Sequence, residues 1–373
     1  AQAILTPPGE EARVVAHLSQ THPDLVEALR ADGATILVGE RAARVPGLLS
    51  VVDALATATG AHLAWVPRRS GERGGIEAGL LPGLLPGGRP VSDPEARAQV
   101  ERAWNMGPEH GLPTSLGRDT TGILSALLDG TLGGAVVGGI DLRDFPDPGL
   151  ARAALAASGF TVQLEVRRSE VSEHADVVLP VAPAVEKNGT FVNWEGRVRP
   201  FGQAHVSRAR TDRQVLGMLA DEMGVDLQVD DLVTLHDQLA ALGLWRGQRM
   251  PVAFGRAPVT GAEVFVGGGV EALLTTHKPM LDAGRLQDGE PFLAATALRP
   301  VAKVGVDLAR RLSLAGGEEV TVSTATGSIT LPAVVGGVSD GSVWLPECSA
   351  GSTVHQTLGA GHGSRVTLTH AAE

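Results

Sequence analysis

Tyrosine is absent from this 373-residue chain, cysteine occurs once, at Cys348, and lysine only at Lys187, Lys278 and Lys303. Each shortage excludes something. A lone cysteine forms no disulfide framework within the chain and suggests a reducing compartment. It also cannot hold an iron–sulfur cluster, which takes about four thiolate ligands. None of the three lysines follows a glycine, so a P-loop is excluded. Aromatic residues make up 3% of the chain and acidic residues outnumber basic ones, 42 to 31, for a net charge of −11. Nucleic-acid binding needs a basic footprint and stacking platforms, so a nucleic-acid partner is not expected. No apolar run approaches the roughly 18–20 residues that span a bilayer; Gly133-Gly134-Ala135-Val136-Val137-Gly138-Gly139-Ile140 is far too short. Direct membrane insertion is therefore not expected, and no internal repeat, low-complexity tract or signal peptide is found. The opening Leu5-Thr6-Pro7-Pro8-Gly9-Glu10 reads as an interdomain linker, so an upstream part is expected.

What is present is a chain long enough for two or three cores. Its first two-thirds alternates helix and strand signals, as a parallel α/β sheet requires. Residues 11–30 are spaced as a helix interrupted at His22-Pro23 and ended by Asp32-Gly33, and 34–39 is a short apolar strand. A helix over 47–59 and a strand over 61–66 follow. The cycle recurs with a helix at 120–128 and a strand at 134–140. Asp147-Pro148 caps a helix to Ser158, strand 160–166 comes next, and Asp176–Leu179 closes the series. Between the halves, 67–90 is a Gly/Pro/Arg-rich excursion long enough to be functional or interface-forming. Its Arg68, Arg69, Arg73 and Arg89 either grip an acidic partner surface or form an exposed basic loop.

From 211 to 244 the apolar spacing gives two helices, and 247–269 is a Pro/Gly-rich linker. The remainder changes character. Residues 319–323 and 328–331 alternate around Ala325-Thr326-Gly327, a hairpin signal. Strands at 342–345 and 364–369, with a short helix at 307–314, complete a small β-barrel. The expected organisation is a Rossmann-like α/β domain over 1–210, a helical segment and linker over 211–270, and a barrel over 271–373.

The segment with most chemistry is Glu186-Lys187-Asn188-Gly189-Thr190-Phe191-Val192-Asn193-Trp194-Glu195-Gly196-Arg197. Gly189 and Gly196 permit positive φ and close backbone approach. Glu186, Asn193 and Arg197 then either converge on a polar ligand at the carboxyl ends of the strands or belong to a surface hairpin whose charges pair with one another. His355, His362 and His370 lack zinc-site spacing and read as satisfied surface or barrel-edge histidines. Cys348 has no adjacent histidine or basic residue to lower its thiol pKa and reads as an inert small residue. Gly359-Ala360-Gly361-His362-Gly363 precedes a strand and reads as a barrel turn. Glu10/Glu11 and Glu318/Glu319 read as solvated turns.

Together with His174-Ala175-Asp176-Val177-Val178-Leu179-Pro180, the 186–197 segment resembles a signature of the molybdopterin oxidoreductase superfamily. Three further stretches narrow the likeness: 79–90 (Gly-Leu-Leu-Pro-Gly-Leu-Leu-Pro-Gly-Gly-Arg-Pro), 281–289 (Leu-Asp-Ala-Gly-Arg-Leu-Gln-Asp-Gly) and Val343-Trp344-Leu345-Pro346. With these, the chain resembles, nearly end to end, the carboxyl-terminal portion of the large G subunits of bacterial NADH-quinone oxidoreductase (complex I). The resemblance implies a molybdopterin-oxidoreductase-type α/β domain followed by a double-psi β-barrel. It implies 4Fe-4S and 2Fe-2S clusters in amino-terminal domains outside this chain, and no cofactor in this segment. Glu186, Gly189, Asn193, Glu195 and Arg197 align with positions lining the superfamily's pterin cleft and are carried over as remnants of it. The implied role is a non-catalytic scaffold in an enzyme passing electrons from NADH to quinone while pumping protons. Its implied partners are the upstream iron–sulfur domains and other peripheral-arm subunits, on the cytoplasmic side of the membrane. Two other readings stand beside this one: a fragment of a molybdopterin enzyme of the formate dehydrogenase type, and a stand-alone interaction protein derived from the fold.

Overall fold

The computed structural model describes residues 3–67, 69–107, 110–229, 231–249 and 268–371. Arg68 and the 250–267 part of the expected linker lie outside the described residues. The amino-terminal helical region is three short helices, α1 (Glu11–Ala16), α2 (Leu18–Thr21) and α3 (Pro23–Ala28). The expected break at His22-Pro23 is there, since a residue before proline is pushed out of the helical region; His22 sits at φ −140°. A second break falls at His17, whose Nδ1 donates to the Arg13 carbonyl at 2.8 Å. Strand β1 (Thr35–Gly39) is followed by α4 (Leu48–Thr59) and β2 (His62–Val66), and the two strands pair. Helix α4 lies between left-handed Gly47 and Gly60 and buries Leu48, Val52, Ala56 and Thr59 along one helical face.

The 67–90 excursion is not an unstructured loop. It holds α5 (Glu72–Glu77) and a two-stranded ladder of β3 (Leu84–Leu85) with β4 (Arg89–Pro90). Helix α6 (Pro94–Ala103), which the apolar spacing did not reveal, opens on Asp93, whose carboxylate accepts from Ala96 N at 2.9 Å. Helix α7 (Thr120–Leu128) is capped in the same way by Asp119. Strands β5 (Ala135–Gly138), β6 (Thr161–Glu165) and β7 (Val177–Pro180) form a parallel sheet in that order, with α8 (Pro148–Ala157) between β5 and β6. Asp147 caps α8 through Leu150 N at 2.9 Å, as its Asp-Pro signal predicts. An antiparallel hairpin of β8 (Gly189–Val192) and β9 (Val198–Phe201) precedes α9 (Asp212–Glu222) and α10 (Leu232–Leu242). A Thr211/Gln214 capping box starts α9.

The last third is a closed six-stranded barrel. Its strands are β10 (Val270–His277), β11 (Ala302–Val304), β12 (Glu319–Ser323), β13 (Ser328–Val335), β14 (Ser342–Pro346) and β17 (Arg365–His370); β15 (Cys348–Ser349) and β16 (Ser352–Thr353) form a separate small ladder. The barrel order is β10-β14-β11-β13-β12-β17, with β10/β14 and β11/β13 parallel and the other pairs antiparallel. Closure removes every sheet edge. Alternate residues point inward: Leu274, Val304, Val320, Val322, Ile329, Leu331, Val343, Leu345, Val366 and Leu368 are all buried. Leu308 of α12 (Val306–Arg311), with Val354 and Leu358 of α13 (Val354–Leu358), joins that core. A four-residue helix, α11 (Pro291–Ala294), lies in the β10–β11 connection.

The chain divides into two compact units, one of Ala1–Ala64, Asp141–Ala151 and Ala253–Glu373, the other of Trp65–Ile140 and Arg152–Val252. They interleave along the sequence, whereas the expected domains run in chain order. The α/β alternation is distributed over separate small sheets, of which β5–β7 is the parallel one with three strands.

Candidate functional site

The residues carried over from the resemblance lie on and beside the β8–β9 hairpin. Gly196 supplies the tight turn at φ +83°. Around it Asn193 N donates to the Arg197 carbonyl at 3.0 Å, and Arg197 N to Asn193 Oδ1 at 2.8 Å. The Arg197 guanidinium pairs with Glu195 at 3.1 Å, and Asn193 Nδ2 donates to the same carboxylate at 3.4 Å. Asn193, Glu195 and Arg197 therefore meet at the turn, and their side chains hold one another. Glu186 sits in the preceding 3-10 turn, its backbone carbonyl accepting from Gln203 Nε2 at 3.0 Å.

Gly189 is needed for a reason other than the one its spacing suggested. Its φ is not positive; instead a Cβ there would lie 2.5 Å from Phe201 Cζ. The hydrogen on Gly189 lets the Phe201 ring close over the strand, where it stacks on Phe191 with centroids 5.0 Å apart. At the hairpin's base Lys187 pairs with Asp212 at the start of α9, at 2.6 Å. The polar side chains of the turn thus pair with one another. A pterin needs an enclosed cleft with several polar groups turned toward the ligand. Here Glu195 and Arg197 are exposed and joined to each other, so as they stand these residues do not fit that group.

A buried charge cluster lies at the barrel, centred on Glu347, which no motif marked. Glu347 is only 4% exposed. Both terminal guanidinium nitrogens of Arg44 donate to its carboxylate, Nη2 to Oε1 at 3.1 Å, and His355 Nε2 approaches Oε1 at 3.6 Å. Burial alone would raise this carboxyl's pKa. Hydrogen bonds from His355 and Arg44, with their charges, overcome that and bring it down to about 2. His362 joins Glu11 at 2.8 Å through Nε2 and Thr275 Oγ1 at 3.1 Å through Nδ1. Glu11 therefore departs from the expected solvated turn. His355 and His362 are satisfied, as expected, but as half-buried groups against Glu347 and Glu11, while His370 lies exposed at the barrel edge, 3.6 Å from Glu318.

Cys348 is buried, and burial pushes its thiol pKa up; nearby Arg143 pulls the other way. Arg143 is itself engaged by Asp141 through two hydrogen bonds, at 3.0 and 2.7 Å. Among the described residues no group of three or more His, Cys, Asp or Glu is arranged to hold a metal ion.

The arginines of the 67–90 excursion also separate. Arg73 pairs with Glu77 one helical turn on, and Arg69 is exposed. Arg89 neither grips a partner nor lies exposed: it is 2% accessible. Its guanidinium donates to the carbonyls of Pro86 at 3.0 Å and Gly243 at 2.9 Å, to that of Leu242, and to Gln99 Oε1 at 3.0 Å. It closes the carboxyl end of α10, whose last carbonyls have no partner within the helix.

A family model described as molybdopterin oxidoreductase matches residues 135–222, the stretch running from β5 through the hairpin to α9. The G subunit of NADH-quinone oxidoreductase from Mycobacterium bovis is 50% identical over 346 residues, 92% of this chain and 42% of the relative. The protein of the same name from Streptomyces coelicolor is 46% identical over 348 residues, again 92% of this chain and 40% of the relative. Over that length the chain is a homologue of these G subunits. It spans about two fifths of their length. A putative formate dehydrogenase of Bacillus subtilis is more distant, at 28% identity over 41% of the chain and 15% of the relative. Among solved structures, acetylene hydratase from Pelobacter acetylenicus covers 67% of this chain and 42% of its own at 16% identity and a TM-score of 0.41. The G-subunit relationship covers both the hairpin and the barrel. Arg44 and Glu347, which no motif or spacing singled out, are held to each other across 303 residues of sequence.

Proposed function

We propose that the chain is a scaffold segment of the G subunit in a proton-pumping NADH-quinone oxidoreductase. The observation that carries this reading is the 50% identity maintained over 92% of the chain. In it, electrons pass from NADH to quinone through 4Fe-4S and 2Fe-2S clusters held by amino-terminal domains of the same polypeptide and by neighbouring peripheral-arm subunits. This segment supports them without a redox centre of its own, since one cysteine falls short of the roughly four thiolates a cluster takes. Its α/β part is of the Rossmann-like, molybdopterin-oxidoreductase type, and its barrel is of the double-psi type. Glu186, Gly189, Asn193, Glu195 and Arg197 are remnants of a pterin cleft whose polar groups now pair locally. The segment sits peripherally, on the cytoplasmic side of the membrane. Among the described residues no helix is long and apolar enough to cross it.

The test is isolation of the native enzyme through a tag on this chain. Co-purification of cluster-bearing subunits with NADH-quinone activity is the expected result. The match to putative formate dehydrogenases favours a second reading, a fragment of a molybdenum enzyme. Stoichiometric molybdenum or tungsten in that preparation would establish the second reading and discard the first.

A further inference from the structure

Helices α1, α3 and α4 and strand β1 surround a pocket of about 440 Å3. Its wall is aliphatic, with Val15 of α1, Ile36 of β1, and Leu48 and Val52 of α4 among the lining side chains. Leu48 and Val52 also belong to the small buried core of this region. Protein interiors are close-packed, with few voids larger than a water molecule, so a space of this size beside a core exceeds what loose packing leaves. It falls within the range of roughly 300–1,000 Å3 occupied by small-molecule sites. Leu25 and Leu37, on the same wall, are exposed, so the pocket opens to solvent.

The lining also selects the chemistry of an occupant. Among the described residues of the wall there is no aromatic ring to stack on a planar ligand, and no Arg, Lys or His to hold an anion. Its polar side chains are Thr6 and Glu11. Glu11 Oε1 meets His362 Nε2 at 2.8 Å, whereas Glu11 Oε2 is buried without a hydrogen-bond partner of normal geometry. Buried polar atoms in that condition are rare and call for a partner. Burial raises the Glu11 pKa, but hydrogen bonding, chiefly with His362, outweighs it. The carboxylate is therefore ionised near neutral pH and can only accept. What it lacks is a donor.

We propose that this pocket binds a neutral aliphatic chain ending in a hydroxyl, a long-chain alcohol by class. The hydrocarbon lies against α1, β1 and α4, and the hydroxyl donates to Glu11 Oε2. A fatty acid does not fit, because its carboxylate would face that of Glu11. A phospholipid does not fit either, because the described wall offers its phosphate no cation. The site stands independently of the complex I reading.

Titration calorimetry with 1-decanol and with decyl methyl ether, which carries the same chain and no donor, tests it. The alcohol should bind one to one and about tenfold more tightly than the ether, the margin of a hydrogen bond to a charged group. Glu11→Gln should shrink that margin severalfold while leaving the affinity for the ether unchanged; a merely structural defect would weaken both. Decanoate should bind at least about tenfold more weakly than decanol. Ala42→Leu, which replaces a methyl group on the wall by an isobutyl group, should abolish binding of alcohol and ether alike. Should Ala42→Leu fail to fold, the comparison of the two ligands on the parent and on Glu11→Gln still decides. Equal affinity for alcohol and ether, a margin undiminished in Glu11→Gln, or no saturable binding overturns the proposal. Binding to the 373-residue chain that is lost in the native assembly would give the pocket to neighbouring polypeptide and overturn it too.

Discussion

Arg44 and Glu347, 303 residues apart in the chain, are joined by two guanidinium–carboxylate hydrogen bonds. Fork-to-fork pairing is the geometry in which arginine binds a carboxylate most strongly. The acid is nearly inaccessible while the arginine side chain stays one-third exposed. Removal of Glu347 therefore leaves a cation that can still find water, which moderates the penalty for breaking a buried pair. Glu347→Ala is expected to destabilise the chain by about 3 kcal/mol, the low end of the range for breaking such pairs. Denaturant unfolding of the two proteins measures it; a change below about 1 kcal/mol would mean that the pair is a surface contact.

The same carboxylate predicts an acid limb in the stability curve. Its folded pKa lies near 2, below the value of 4.5 it has when unperturbed. A group depressed in this way contributes its full stabilisation above the unfolded pKa and loses it as pH falls through the folded one. Stability should decline between pH 4.5 and about 2, and Glu347→Gln, which carries no titratable proton there, should flatten that part of the curve. Thermal midpoints measured at intervals of pH for both proteins decide the matter.

The long-range pairs mark where sequence reasoning stopped. Elements with local signals were legible: Asp147-Pro148 gave the start of α8, the alternation around Ala325-Thr326-Gly327 gave β12 and β13, and the apolar spacing after Thr211 gave α9 and α10. Strand β10 was hidden because one of its inward positions is Thr276, whose buried hydroxyl donates to the Leu345 carbonyl at 2.8 Å. Strand β11 has only three residues, too few for any period to register. The hairpin turn was readable from Gly196, but the role of Gly189 depends on Phe201, across the ladder. Glu347 offered no signal, since its partners are fixed only when the barrel has closed.

At the hairpin, Arg197→Ala removes an exposed ion pair, which contributes about 0–1 kcal/mol. The variant should unfold within about 1 kcal/mol of the parent and assemble normally. Gly189→Ala should do more harm, because its methyl group would displace the Phe201 ring from Phe191. A loss of about 1–3 kcal/mol is expected from the overpacking. Parallel denaturation curves give both values, and a larger effect from Arg197 than from Gly189 would reverse the account of the hairpin.

Arg89 tests whether an arginine in a Gly/Pro-rich excursion is there to bind partners or to hold the fold. Its guanidinium serves four acceptors at once, three of them backbone carbonyls, including those at the end of α10. Burial lowers its pKa, but a guanidinium remains charged throughout the accessible range. A lysine at this position keeps the charge and has three donors on one point, so it cannot reach the same set. Arg89→Lys should therefore be destabilising by about 2–3 kcal/mol, since carbonyls left buried without donors carry their full desolvation penalty. Gly87→Ala should act on the same junction, because a Cβ there would lie 2.6 Å from the Gly243 carbonyl oxygen.

Cys348 is the chain's one thiol, and its surroundings determine its reactivity. The side chain is almost wholly buried, and the burial that raises its pKa disfavours the thiolate, the form that attacks disulfides and alkylating agents. Arg143, itself held by Asp141 through two hydrogen bonds, opposes this without overcoming it. Reaction with a disulfide reagent at about pH 8 should accordingly be at least about a hundredfold slower in the folded chain than in denaturant, its rate set by local opening. On the function proposed above, Cys348→Ala, which removes the thiol while keeping the small apolar volume, should leave NADH-quinone activity of the assembled enzyme unchanged. Rapid labelling of the folded chain would mean that the thiol is accessible. A loss of electron transfer in a normally assembled Cys348→Ala enzyme would give that sulfur a chemical role that its burial argues against.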